Sequence, residues 1–349
     1  MIRNEGVRAL LFEVRIRLIR LLTGHRINRH FTQYASYTHP DGSSIPLYIG
    51  YRDYLKPFHF LSHSSQEGIK RFQGQNAEKD VVIAGLGGAN NIIHTIESDV
   101  GLSVSGKRVL DVGCGDGALA VVLAASGAQH VTGIELTVRE EWNREYLSRL
   151  VKKVLEERGA LAYEDETEIL GRVSLLQKDI TDLDDHNIYD LIVSNSVLEH
   201  ITDLKAGLLK MRDLLGKDGI MIHVFNPFFS ENGGHEWMIL DFPWGHCRLT
   251  RSEIKEYLET YRGWEAERAL RSFDSDFNNP RMTINEIDAF ADEIGLKCLM
   301  ARESRSCWWL PDSSIDCILM QAKRIYPKIQ IRDLMSESVL RVWTAKTTA

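Results

Sequence analysis

The segment Val109-Leu-Asp-Val-Gly-Cys-Gly-Asp-Gly117 constrains the fold of this chain more than any other. A short apolar run, Val109 to Val112, leads into three glycines at alternate positions, and the apolar stretch Ala118 to Ser126 follows. Glycine lacks a Cβ, so its backbone can take left-handed dihedrals and approach a ligand closely. We therefore predict a strand, a glycine loop and a helix that together form a cradle for a small molecule.

The spacing of the glycines and the acids around them narrows the choice of ligand. The loop reads G-x-G-x-G, whereas the dinucleotide fingerprint is G-x-G-x-x-G and places a pyrophosphate on the helix N-terminus. Asp111 precedes the loop, and a carboxylate there suits an ammonium group better than a pyrophosphate. A second apolar run, His130 to Ile134, ends in Glu135, at the distance of about 20 residues that is usual for a carboxylate holding ribose hydroxyls.

Three more segments continue the same pattern. Val173 to Gln177 leads into Lys178-Asp-Ile180, Tyr189 to Asn195 passes into Ser196-Val-Leu-Glu-His200, and a fifth run covers Gly219 to Phe225. The ordered set of five segments resembles the class I S-adenosylmethionine-dependent methyltransferases, with looser correspondence to about Lys323.

The resemblance implies an α/β fold. Its core is a Rossmann-like, seven-stranded, mostly parallel sheet with an antiparallel hairpin at one edge. To this core the chain adds an N-terminal helical extension and an insertion after the fifth strand. We predict the final strands at Leu296 to Ala301 and Ile315 to Ala322, and a terminal helix at Arg332 to Trp343.

The resemblance also implies S-adenosyl-L-methionine as the cofactor. The glycine loop would lie under its methionine and ribose portions, with Glu135 on the ribose diol, Asp179 and Ile180 beside the adenine, and Asn195 and Ser196 near the methionine end. The alternative is that Asp179 only caps a turn and that Glu135 is solvated. The predicted cofactor contacts are Asp111, Gly113, Cys114, Gly115, Gly117, Glu135, Leu136, Asp179, Ile180, Asn195 and Ser196.

We divide the chain into four parts. Residues 1–30 form a basic amphipathic helix, and residues 31–105 form a connector, irregular over 31–76, and a leader helix kinked at its glycines. Residues 106–323 form the methyltransferase domain, with an acceptor-pocket insertion at 226–282. Residues 324–349 form a C-terminal helical tail.

Residues 1–30 hold seven arginines and two glutamates, and several of their apolar residues follow helical spacing. A basic amphipathic helix can lie in a membrane interface, but arginines interrupt its apolar runs too often for it to span a bilayer. Packing on the domain or on a partner in a homodimer is an equal alternative, and an organellar transit sequence is a third.

Composition favours a cytoplasmic protein with a small acceptor. The formal net charge of -7 disfavours nucleic acid, because phosphate binding depends on clustered Lys and Arg. Five cysteines, an odd number without a C-x-x-C pair, suit a reducing compartment.

The insertion carries the strings Gly233-Gly-His-Glu-Trp237 and Asp241-Phe-Pro-Trp-Gly-His-Cys247. Loops at the carboxyl ends of parallel strands build the ligand crevice of an open α/β sheet, and tryptophan faces suit sugar or aromatic rings. We therefore expect a small-molecule or glycan acceptor here. The candidate general bases are His235 first, then His246, and then His200, with His223 also considered.

We expect no metal, because the spacing of His235, Glu236, Asp241 and His246 matches no standard metal motif. The predicted reaction is methyl transfer to oxygen. The alternatives are transfer to nitrogen or carbon, for example on a quinone precursor, and a non-catalytic regulator that binds S-adenosylmethionine.

Overall fold

The computed structural model describes residues 33–48, 79–139, 142–157, 165–184, 186, 188–231, 233, 240, 242–262, 266–276, 281–305 and 312–346. The chain divides into two units. We call Gln73–Phe228, Asp276–Ser304 and Ser336–Ala349 the sheet unit, and Met1–Phe72, Phe229–Ser275 and Arg305–Met335 the accessory unit. The predicted N-terminal helix, residues 1–30, lies outside the described residues.

Seven strands form the sheet, and they alternate with helices along the chain. The strands are β3 (Arg108–Val112), β4 (His130–Glu135), β5 (Val173–Gln177), β6 (Tyr189–Asn195), β7 (Leu215–Phe225), β8 (Leu296–Arg305) and β9 (Ser336–Ala345). The helices of this unit are α1 (Lys79–His94), α2 (Ala118–Ala125), α3 (Arg144–Glu157), α4 (Glu166–Gly171), α5 (Leu204–Leu214) and α9 (Ile284–Glu293).

The strand order is β5-β4-β3-β6-β7-β9-β8. Strands β5, β4, β3, β6 and β7 pair in parallel, and β9 runs antiparallel to β7. The predicted mostly parallel sheet with an antiparallel component at one edge is therefore confirmed. Strands β8 and β9 are neighbours, but the chain between them passes through the accessory unit, so no tight hairpin joins them.

Two apolar cores cover the faces of this sheet. Helices α1 to α4 pack on one face, and α5 and α9 pack on the other. The chain thus crosses to opposite faces after β3 and after β6, which are adjacent strands. Such a switch point opens a crevice at the carboxyl ends of the two strands, where an open α/β sheet binds its ligand.

Two predictions for the C-terminal part are wrong. Ile315 to Ala322 is not a strand but lies in helix α10 (Asp312–Lys323), where Ile315, Ile318 and Ala322 are buried at helical spacing. The expected helical tail is helical only in α11 (Ile331–Met335), and the residues after it form β9. Val339 and Val342 belong to different cores, so β9 is buried on both faces and lacks the alternation that would mark a strand.

The accessory unit contains a hairpin and several helices. The elements are β1 (Gln33–Thr38), β2 (Ser44–Tyr48), α6 (Gly245–Arg248), α7 (Arg251–Arg262), α8 (Ala266–Asp276), α10 and α11. The prediction of irregular structure is wrong for residues 33–48, which pair as antiparallel strands around a turn at Gly42, whose φ is 85°. Thr250 and Glu253 bond reciprocally at the start of α7, as in a capping box.

Candidate functional site

The glycine loop after β3 is held by backbone bonds and close packing. The amides of Gly113 and Cys114 donate to Ile134 O at 2.9 and 3.0 Å. Gly113, Gly115 and Gly117 all have positive φ, at 69°, 53° and 86°. A Cβ at Gly113 would overlap the side chain of Val197, whereas a Cβ at Gly115 would meet nothing within 4 Å among the described residues. Gly115 is thus the loop position that leaves room for a ligand.

Three acidic residues lie in or beside this loop, namely Asp111, Asp116 and Glu135. Asp111 is 1% exposed, and its Oδ2 finds no hydrogen-bond partner within the described part of the chain. Burial raises the pKa of the Asp111 carboxyl well above its usual value, and the charges of Asp116 and Glu135 add to the rise. A cationic ligand nearby would relieve the electrostatic repulsion among these three carboxyl groups.

Glu135 at the end of β4 reaches the loop directly. Its Oε2 accepts from the Gly115 amide at 3.3 Å, and its Oε1 accepts from the Leu136 amide at 2.9 Å. Arg139 lies 3.8 Å from the same carboxylate. Leu136 is 61% exposed, so an apolar side chain stands beside the carboxylate. The end of β4 thus places a carboxylate that is bound to the glycine loop beside an exposed apolar side chain.

The backbone of Cys114 belongs to the glycine loop, whereas its thiol is buried. Its side chain is buried against Gly133, where an added Cβ would come within 2.9 Å of Cys114 Sγ. Burial, with the nearby charge of Asp111, raises the pKa of the thiol far above its usual value. The thiol is therefore protonated and unreactive at neutral pH.

Asp179 and Ile180 have visible structural roles. Asp179 caps the turn Ile180–Asp182 by accepting from the Thr181 amide at 2.8 Å and the Thr181 hydroxyl at 2.6 Å. Ile180 is buried in one of the two apolar cores. Their predicted contact with adenine stays a prediction.

The end of β6 lies beside the leader helix. A Cβ added to Gly88 of α1 would lie 3.7 Å from Asn195 Nδ2, which is an ordinary van der Waals contact. Ser196 has a φ of 57°, and its amide donates to Val224 O at 2.7 Å. The helix before the sheet thus reaches the crevice at the carboxyl edge.

Glu199 adds a buried carboxyl at this edge. It is 6% exposed, and its Oε1 accepts from the amide of Asn226 at 3.1 Å and from Asn226 Nδ2 at 3.4 Å. Burial raises the pKa of this carboxyl to about 7.

We expect Glu199→Gln to remove a pH dependence of stability. The folded state keeps its proton between about pH 4.5 and pH 7, whereas the unfolded state loses it, so the stability of the wild type falls as pH rises through this window. From pH 5 to pH 8 the variant should gain about 2 kcal/mol relative to wild type. Urea unfolding at both pH values measures this, with the exposed Glu97→Gln as control. An equal pH slope for Glu199→Gln and wild type contradicts the assignment.

Two of the candidate bases, His200 and His246, lie within the described residues. His200 is exposed at the end of a turn in the sheet unit. His246 is 4% exposed in the accessory unit, and its ring lies against Gly233, where an added Cβ would come within 2.5 Å of Nε2. The two strings of the insertion therefore meet at these residues. His235, Glu236 and Asp241 lie outside the described residues.

His223 is not a candidate base. It is fully buried in β7, its Nδ1 lies 2.7 Å from Ser194 Oγ, and burial lowers the pKa of its ring to about 3. Its role is structural.

Two further residues of this site are absent from the sequence-based prediction. Trp142 Nε1 donates to Gly115 O at 2.8 Å, and the Tyr146 hydroxyl donates to Asp116 at 2.6 Å. A pair of aromatic residues four positions apart at the start of a helix is the sequence signal that could have found them.

Two other kinds of site are absent from the described ranges. No group of three or more His, Cys, Asp or Glu side chains there could hold a metal ion. No described helix is long and apolar enough to cross a membrane.

Comparison with known proteins gives consistent matches. The sequence model of a family described as "Methyltransferase domain" matches residues 90–267. A ubiquinone biosynthesis O-methyltransferase of Rickettsia conorii is 29% identical over 119 residues, which are 34% of this chain and 35% of that protein. A probable (S)-tetrahydroprotoberberine N-methyltransferase 2 of Papaver bracteatum is 25% identical over 139 residues, 38% of this chain and 34% of that protein. The matched segments thus span about a third of these relatives.

Among solved structures, magnesium protoporphyrin IX methyltransferase of Synechocystis, with bound SAH, aligns with a TM-score of 0.41 at 15% identity. The alignment covers 82% of this chain and 98% of that structure.

Proposed function

We propose that this chain, which belongs to the methyltransferase domain family, transfers a methyl group from S-adenosylmethionine to an oxygen atom of a small-molecule or glycan acceptor. The observation that carries the proposal is the buried carboxyl of Asp111 beside a glycine loop that is open at Gly115. S-adenosylmethionine carries an ammonium and a sulfonium charge, and its demethylated product keeps the ammonium. Such cations fit a loop ringed by acids, and a pyrophosphate does not.

The cofactor supplies an activated methyl group, so the main task of the protein is to hold cofactor and acceptor in line. Glu135 would hold the ribose diol, Leu136 would contact the base, and Asn195 with Ser196 would border the methionine end. Asp179 and Ile180 would border the adenine. These assignments rest on position at the carboxyl ends of β4, β5 and β6.

Oxygen is the proposed acceptor atom because an oxygen acceptor needs a base to take its proton, and histidines that could serve as this base lie in the insertion. As the new carbon–oxygen bond forms and the carbon–sulfur bond breaks, the hydroxyl proton must leave to a base. His235 is the first candidate, and His246 and His200 follow. The O-methyltransferase relative supports oxygen, while the N-methyltransferase relative keeps nitrogen as the second candidate.

The experiment is label transfer from methyl-tritiated S-adenosylmethionine to a panel of phenols, sugars and amines. We expect label in a hydroxyl compound and a loss of about 100-fold in His235→Ala, within the range of general-base effects. Label found only in amines favours the nitrogen alternative. Tight cofactor binding without transfer to any acceptor favours a regulatory protein and contradicts the enzyme proposal.

We also propose that the insertion at 226–282 forms the acceptor pocket. Contact of residues 1–30 with a membrane, or their packing in a homodimer, stays a prediction, because these residues lie outside the described part of the chain.

A further inference from the structure

Helix α3 begins beside the glycine loop, and its first turn and the residues just before it contact three consecutive loop residues. Trp142 bonds to Gly115, Tyr146 bonds to Asp116, and Leu147 Cδ2 would lie 3.5 Å from a Cβ at Gly117. Each contact comes from a different side chain of one short segment. The segment therefore follows the loop along its length.

The peptide groups of Gly115 are fixed from two sides. Its N–H donates to Glu135 Oε2, and its C=O accepts from the indole of Trp142. Glycine has more backbone freedom than other residues, so a glycine that must keep one conformation depends on such external bonds.

The hydroxyl of Tyr146 acts on the other side of the loop. Asp116 accepts from this hydroxyl through Oδ2 and from the Ala118 amide through Oδ1 at 3.0 Å. Hydrogen bonds to a carboxylate are about twice as strong as those between neutral groups. Asn143 Oδ1 accepts from the Tyr146 amide at 2.9 Å, which fixes the helix start itself. Tyr146 is thus held in place before it holds the loop.

We propose that Trp142 and Tyr146 are positioning residues that keep the glycine loop in the conformation that receives the cofactor. The inference rests on the proposed function, since it assumes that the ligand of the loop is S-adenosylmethionine. Neither residue needs to touch the ligand. Their loss weakens binding because the loop must then be ordered when the ligand arrives.

The test compares Trp142→Phe and Tyr146→Phe with wild type in calorimetric titrations with S-adenosylhomocysteine. Each variant keeps an aromatic ring and loses one donor. We expect Kd to rise about 5- to 10-fold in each, which corresponds to one lost hydrogen bond. The matched control is Trp343→Phe, because Trp343 is a buried tryptophan of β9, which β6 and β7 separate from β3 and its glycine loop. Its Kd should stay within about twofold of wild type.

A spectroscopic readout separates positioning from general stability. In ¹⁵N–¹H spectra, the indole signal of Trp142 is identified as the one that Trp142→Phe lacks. In the wild type this signal should shift when S-adenosylhomocysteine is added. The indole signal absent from Trp343→Phe should not shift.

The outcomes separate this inference from the proposed function. A wild type that binds neither S-adenosylhomocysteine nor S-adenosylmethionine contradicts the proposed function. The inference alone is overturned if the wild type binds S-adenosylhomocysteine, both variants bind it with the same affinity as the wild type, and the Trp142 indole signal does not shift. If Trp142→Phe fails to fold, an unchanged affinity in Tyr146→Phe overturns the inference by itself.

Discussion

Gly113→Ala should abolish measurable cofactor binding, with a loss of at least about 100-fold in affinity, and should destabilise the fold by about 2 to 5 kcal/mol. Two effects add. The φ of 69° is strained for alanine, and the new Cβ would overlap Val197 Cγ2 and lie 2.9 Å from Val197 Cγ1. Val197 follows directly on Asn195 and Ser196, so relief of the clash moves the loop away from the end of β6. Titration with S-adenosylhomocysteine and urea unfolding measure both effects.

Gly106→Ala is the matched control for this variant. Gly106 has nearly the same φ, 72°, but a Cβ there would meet nothing within 4 Å among the described residues. We expect only the conformational cost of about 1 to 2 kcal/mol and unchanged cofactor affinity. If the two variants bind equally well, the close packing of Gly113 on Val197 is not needed for the site.

The second large effect concerns acid stability and His223. The unfolded chain takes up a proton on this ring below about pH 6.5, while the folded state resists protonation until about pH 3. Stability is therefore lost as pH falls through this window, by about 4 to 5 kcal/mol in total. The cause is burial, since the ring lies between Ser194 and Trp343 inside the sheet unit.

His223→Asn keeps a polar group near Ser194 and removes the titration. Between pH 7 and pH 4 the free energy of unfolding of the wild type should fall by several kcal/mol relative to that of the variant, whatever the difference between them at pH 7. The exposed His94→Asn serves as control and should follow the wild type. Parallel stability curves for wild type and His223→Asn would show that the ring does not control acid unfolding.

The sequence was sufficient to predict the parallel part of the sheet. Its strands are short apolar runs that end at acids, glycines or polar residues, and Val173–Gln177 and Tyr189–Asn195 are strands at the predicted residues. It failed in the C-terminal part, where the apolar residues of β9 lack the alternation of a half-buried strand and α10 contains a run that resembles a strand, so the residue pattern did not separate strand from helix. Burial on both faces, which decides between the two, is a tertiary property.

The candidate site was likewise only partly predictable from the sequence. Asp111, the glycine loop and Glu135 follow from local spacing, and the structure brings them together. The hydrogen bonds of Trp142 and Tyr146 to the loop span 27 and 30 residues and depend on how α3 packs. The roles of the histidines were the hardest to predict, since the sequence does not reveal that His223 is buried in the sheet while His200 is exposed.

Calorimetric titration of the full chain with S-adenosylhomocysteine, in parallel with NAD, is the most direct test of the central claim. The acids around Gly115 predict saturable heat with S-adenosylhomocysteine and none with NAD. Tight binding of NAD, with no heat from S-adenosylhomocysteine or S-adenosylmethionine, would contradict both the ligand assigned to the loop and the function proposed from it.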